Sequence, residues 1–131
     1  MTKVDWHEAE ALCGKAGKRL CTEAEWELAC AGPEKRAYPY GPGLVEGRCQ
    51  AGAGGQGPAP LGRKDGCVTV DGVADLSGNV GEWTSSVVAP GSPQRVVRGG
   101  SWRSSGVSCM ARDYFLPGAG GAQDIGFRCC L

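Results

Sequence analysis

Eight cysteines in 131 residues constrain this chain more than any other feature. An even count in a chain rich in glycine and proline reads as a set of bridges rather than as catalytic thiols. Bridges persist in oxidising compartments, so a secreted or periplasmic setting is expected. The competing reading, a metal cluster, usually needs a C-x2-C pair. Cys13, Cys21, Cys30, Cys49, Cys67, Cys109, Cys129 and Cys130 provide none. The length suits one domain with one real core, 1–131, and is too short for two. Lys and Arg balance Asp and Glu at 14 each, and no basic run occurs, so neither nucleic acid nor an anionic membrane surface is an expected partner. The sequence has no apolar stretch long enough to span a bilayer and no charged-then-apolar leader, so neither a membrane insertion nor a signal peptide is expected.

Two helices are legible from their ends. Asp5 with Glu8 is an acidic capping box, and Trp6, Ala9, Leu12, Cys13 and Ala16 then recur at helical spacing until Gly17 supplies a stop. Thr22 with Glu25 repeats the device, placing Trp26, Ala29 and Cys30 on one face before Gly32. Each helix carries a cysteine beside a tryptophan on its apolar stripe, which predicts that each is tied to a later segment. Residues 33–68 show no period and read as irregular loop, which Cys49 and Cys67 could tie. Short strands are predicted at 68–70, 81–84, 95–98 and 126–129, and no internal repeat is present.

Five motifs then occur in order: Lys18-Arg19-Leu20-Cys21-Thr22-Glu23-Ala24-Glu25-Trp26-Glu27, Tyr38-Pro39-Tyr40-Gly41, Asp75-Leu76-Ser77-Gly78-Asn79-Val80-Gly81-Glu82-Trp83, Arg98-Gly99-Gly100-Ser101-Trp102 and Gly126-Phe127-Arg128. Together they resemble the formylglycine-generating enzyme, or sulfatase-modifying factor, domain, over nearly the whole chain. The resemblance implies an α+β, disulfide-rich fold related to C-type lectins, with two helices on small antiparallel sheets and much coil. The family's N-terminal strands would precede Val4 and are not present in this sequence. The resemblance also implies bridges Cys13–Cys129 and Cys30–Cys109, which leaves Cys49 with Cys67 and Cys21 with Cys130. It further implies that Asp75 and Glu82, through carboxylates, and Gly78 and Val80, through carbonyls, bind calcium. Four oxygens fall short of the six to eight that calcium prefers. The alternative has Asp75 capping the turn and Glu82 in solvent.

In the enzyme a cysteine pair after the Gly-Gly-Ser-aromatic motif binds copper and oxidises a substrate cysteine. Here Ser104 stands in the first position, and no thiol precedes Cys109 in the second. A hydroxyl does not replace a thiolate for copper(I), so neither copper nor oxidase activity is expected. Two neighbouring positions depart as well: Gly81 where a tryptophan is usual, and Asp124 where an asparagine is usual. The sole histidine, His7, sits in the first turn of a helix and receives no role. No glycine-rich phosphate fingerprint joins a strand to a helix.

The remaining expectation is recognition. Residues 103–123 contain Arg103, Ser104 and Ser105, then Arg112, Asp113, Tyr114, Phe115 and Leu116, a polar loop with a concentrated aromatic patch. Three adjacent bulky residues in coil cannot all point inward, so one or two are expected to be exposed as anchors. Relatives diversified by retroelements carry variable ligand-contacting residues in this region. The reading is a non-catalytic, extracytoplasmic binding module for a protein, peptide or glycan, with residues 103–123 as its contact surface. An oxidase acting on a substrate cysteine and a structural domain of a larger cell-surface protein are the alternatives.

Overall fold

The structure, a computed structural model, describes residues 1–52, 56–105, 107–118 and 123–131. Of the expected contact surface, residues 106 and 119–122 lie outside the described residues, as do 53–55 of the glycine-rich loop.

Helix α1 spans Trp6–Lys15 and α2 spans Glu23–Ala31, each opened by a complete capping box. The Asp5 side chain accepts from the Glu8 amide while Glu8 accepts from the Asp5 amide, and Thr22 and Glu25 reciprocate in the same way. This satisfies two otherwise unpaired amides at each start. At the end of α1, Gly17 takes φ 69°, and the Lys18 amide returns to the Cys13 carbonyl. At the end of α2, Gly32 takes φ 67°.

The strands are β1 (Arg19–Leu20), β2 (Gly81–Val87), β3 (Arg95–Arg98), β4 (Arg112–Phe115), β5 (Ile125–Phe127) and β6 (Cys129–Cys130). They form a two-stranded sheet, β1–β6, and a four-stranded sheet in the order β4-β3-β2-β5. The larger sheet is mixed, because β5 runs parallel to β2 with Trp83 opposite Phe127. The expected strand at 68–70 reduces to a single bridge between Val68 and Ala74. Conversely, 112–115, read from sequence as coil, is an edge strand: it pairs with β3 along its length, Val97 opposite Asp113 and Arg98 opposite Arg112.

Alternation along β2 divides the interior. Trp83 joins Val4, Trp6, Ala9, Cys13, Leu20, Val97 and Ile125 in one cluster under α1. Its neighbour Glu82 points the other way, to a second cluster of Trp26, Cys30, Ala31, Leu76 and Cys109 under α2, where Trp26 donates to it at 2.6 Å. The tryptophan indoles lock α1 to the sheet, with Trp6 Nε1 donating to the Thr84 carbonyl and Trp83 Nε1 to the Val4 carbonyl. Arg98, almost fully buried on β3, reaches Glu23, Glu27 and the Cys109 carbonyl at 2.6–2.9 Å.

All eight cysteines are bridged, as Cys13–Cys129, Cys21–Cys130, Cys30–Cys109 and Cys49–Cys67. The first three tie each helix, and the strand between them, to the last quarter of the chain. The fourth closes the long loop.

One surface pair provides a pH test. Arg19 forks onto Glu25 at 2.7 and 2.8 Å, and this guanidinium, with the Thr22 amide, holds the Glu25 carboxyl down at about 2 against an ordinary 4.5. A depressed carboxylate stabilises the fold above its ordinary range and loses that contribution as pH falls through the lowered value. Thermal melts should show wild type ahead of Arg19→Gln at neutral pH. That advantage should vanish between pH 4.5 and about 2, and it should be small throughout because the pair is solvent-exposed.

Candidate functional site

The edge strand β4 positions the expected contact residues on two faces. Asp113 and Phe115 turn toward a cleft of about 320 Å³, which is also lined by Arg103, Ser104, Ser101, Gly81, Gly100 and Asp124. Phe115 sets its ring edge-on to Trp83 at 6.3 Å between centroids, which couples this surface to the core. Arg112 turns toward α2 instead and forks onto Glu23 at 2.6 and 3.0 Å, so its guanidinium is committed internally. Tyr114, Phe115 and Leu116 are 48, 39 and 55% exposed. All three therefore face solvent in part, more than the one or two anticipated, because an edge strand has no layer covering it. Ser105 belongs to a different cavity of about 420 Å³ beside Tyr40, Leu44, Val45 and Val107.

Ser104 closes a tight turn rather than presenting a reactive group. Its Oγ accepts from the Ser101 amide at 3.1 Å, and its amide returns to the Ser101 carbonyl. The Arg103 guanidinium lies over the Trp102 ring at 4.7 Å. Ser101 Oγ reaches Asp124 Oδ2 at 3.5 Å, a long contact that leaves this carboxylate open to another donor. Gly81 and Gly100 line the cleft with backbone alone, packed closely against neighbouring side chains. A Cβ on Gly81 would meet Val97 Cγ1 at 2.8 Å, and one on Gly100 would meet Val107 at 2.7 Å.

Sequence reasoning did not group Gly81, Ser101, Gly100 and Asp124 with the contact surface. A signal existed: Gly81, Ser104 and Asp124 are three of the places where the chain departs from the pattern of the family it resembles, and all three line this one cleft.

The expected calcium ligands lie elsewhere, and both of their carboxylates already carry protein donors. Glu82 is buried and is not in solvent. Its Oε2 accepts from Trp26 and from Arg128 Nε at 3.0 Å, and its Oε1 from an Arg128 terminal nitrogen at 2.9 Å. Asp75 Oδ2 accepts from the Gly62 amide at 2.7 Å. Among the described residues no group of three acidic, histidine or cysteine side chains gathers to hold a metal. Burial alone would push the Arg128 guanidinium down, but Glu82 and then Asp75 outweigh it and raise it.

Capped helices, a small mixed sheet and four bridges define a disulfide-tied α+β domain of C-type-lectin-like class, with a cleft beneath an edge strand. Solved structures share this fold: Treponema denticola variable protein 1 superimposes with a TM-score of 0.82 at 22% identity, covering 97% of this chain and 69% of that one. PvdO from Pseudomonas aeruginosa gives 0.75 at 23% identity, covering 96 and 59%. The chain belongs to the sulfatase-modifying factor enzyme 1-like domain family, which it matches over residues 1–131. Among curated relatives, the inactive C-alpha-formylglycine-generating enzyme 2 of Mus musculus is 36% identical across 96% of this chain and 47% of its own length. The formylglycine-generating enzyme of Mus musculus is 35% identical, covering 96 and 42%, and the hercynine oxygenase of Mycobacterium tuberculosis 37%, covering 76 and 28%. The chain thus spans less than half the length of these curated relatives.

Proposed function

We propose that this domain is a non-catalytic, extracytoplasmic binding module whose contact surface is β4 together with the cleft beneath it. The observation that carries the reading is the convergence of Gly81, Ser104 and Asp124 on one open cleft bordered by half-exposed Tyr114, Phe115 and Leu116. Where a copper site would need thiolates, Ser104 is a hydroxyl that holds a turn, and all eight cysteines are engaged in bridges. Recognition by a surface fixed in advance lowers the ordering cost of binding, and three bridges spanning 79–116 residues fix this one. The relative named as inactive and the neighbour named as a variable protein agree with this direction. Four bridges support an oxidising, extracytoplasmic setting.

The test titrates the ¹⁵N-labelled, oxidised domain with a random decapeptide mixture and, separately, with a neutral oligosaccharide mixture. At least one probe is expected to shift the amides of Ser101, Arg103, Asp113 and Phe115, with the shifts lost in Phe115→Ala. Finding two free thiols per chain with stoichiometric copper(I) uptake would replace this reading with an oxidase.

A further inference from the structure

We propose that the positive charge seated at the 75–82 turn is the guanidinium of Arg128, and that this turn holds its shape without calcium. Arg128 lies in the single-residue gap between β5 and β6 and reaches both ends of the turn. Its Nε and one terminal nitrogen fork onto Glu82 at 3.0 and 2.9 Å, and a terminal nitrogen also donates to the Ala74 carbonyl at 2.9 Å. Planar, bidentate donation to a carboxylate is the strong form of this contact, and guanidinium is the side chain built for it.

Carboxylate chemistry limits what else can bind. Glu82 offers about four acceptor positions, and Trp26 with the two Arg128 donors fills three of them. Asp75 has one oxygen committed to the Gly62 amide, so the turn retains its other oxygen and the carbonyls of Gly78 and Val80. With the fourth position of Glu82 this makes four oxygens, two short of the smallest shell that calcium accepts, so waters would have to complete the shell beside a buried cation. A divalent ion would also sit against a guanidinium that already occupies Glu82, where like charges repel. Of the two carboxylates that the family resemblance assigns to a metal, Glu82 therefore holds an internal cation. That cation has a mechanical role: it fastens the C-terminal segment carrying Cys129 and Cys130 to the turn that enters the central strand β2.

The experiment uses the oxidised domain as it stands. Native mass spectrometry in millimolar calcium chloride is expected to show no bound calcium, and the melting temperature is expected to be the same in calcium chloride and in EDTA. Arg128→Met, which leaves Glu82 buried with Trp26 as its remaining partner, should melt lower by about 10 °C. Arg128→Lys keeps a point charge without the fork and should fall between the two. One calcium bound per chain together with a melting temperature raised by calcium and lowered by EDTA would overturn the proposal. So would Arg128→Met melting like wild type. The two wild-type measurements decide the matter even if neither variant folds.

Discussion

Replacing Cys13, Cys129, Cys21 and Cys130 together by alanine is expected to lower the unfolding free energy by about 6 kcal/mol, whereas removing Cys49 and Cys67 should cost only about 3 kcal/mol. The difference follows from loop closure, since the first two bridges lie side by side and together tie residues 116 and 109 apart, while the third joins residues 18 apart. A cross-link removes freedom from the unfolded chain, and more of it when the enclosed loop is long. This domain depends on such links because its helices run only ten and nine residues, below the roughly 12–15 at which an isolated helix becomes even marginal in water. Total stabilities of about 5–15 kcal/mol leave little reserve after the larger loss. Denaturant titration under non-reducing conditions would measure both variants. Equal losses would mean that the bridges act through local packing rather than through loop closure.

Trp83→Ala is expected to cost about 3–5 kcal/mol, the range for deleting a large buried aromatic side chain. Trp83 is 1% exposed on the central strand, contacts the α1 cluster and donates its indole proton to the Val4 carbonyl at 3.1 Å. Truncation leaves both a cavity and a buried carbonyl without its donor. Trp83→Phe keeps most of the volume and isolates the second effect, worth about 1–3 kcal/mol. A further consequence reaches the proposed contact surface, because Trp83 backs the Phe115 ring. Amide exchange along β4 should therefore accelerate in Trp83→Ala more than the drop in global stability explains. A loss under about 1 kcal/mol would contradict the packing described here.

The parts of the fold legible in the sequence are those decided locally. Both helix starts were readable as Asp5 with Glu8 and Thr22 with Glu25, and both stops as Gly17 and Gly32, because a cap is settled within four or five residues. Strand β3 was readable as 95–98, where Val96 and Val97 lie between arginines. Strand β4 was not, because Arg-Asp-Tyr-Phe carries no apolar alternation, and all four residues stay exposed on an edge. Its conformation comes from pairing with β3, which no window of the sequence contains. Of the contact residues, the patch at 114–116 was visible as three adjacent bulky side chains. The split that sends Asp113 to the cleft and Arg112 to Glu23 was not.

By itself, then, the sequence determined the two helices, the commitment to disulfides, the family and the loss of the thiolate at position 104, all properties carried by neighbouring residues or by motif order. The tertiary structure alone decided which cation meets Glu82, since Arg128 and Trp26 arrive from 46 and 56 residues away. It alone brought Gly81, Ser104 and Asp124 around one cleft. The physical reason is the same in each case: a carboxylate's partner and a cavity's walls are set by which distant segments the core packs together, and that choice has no local signature in the chain.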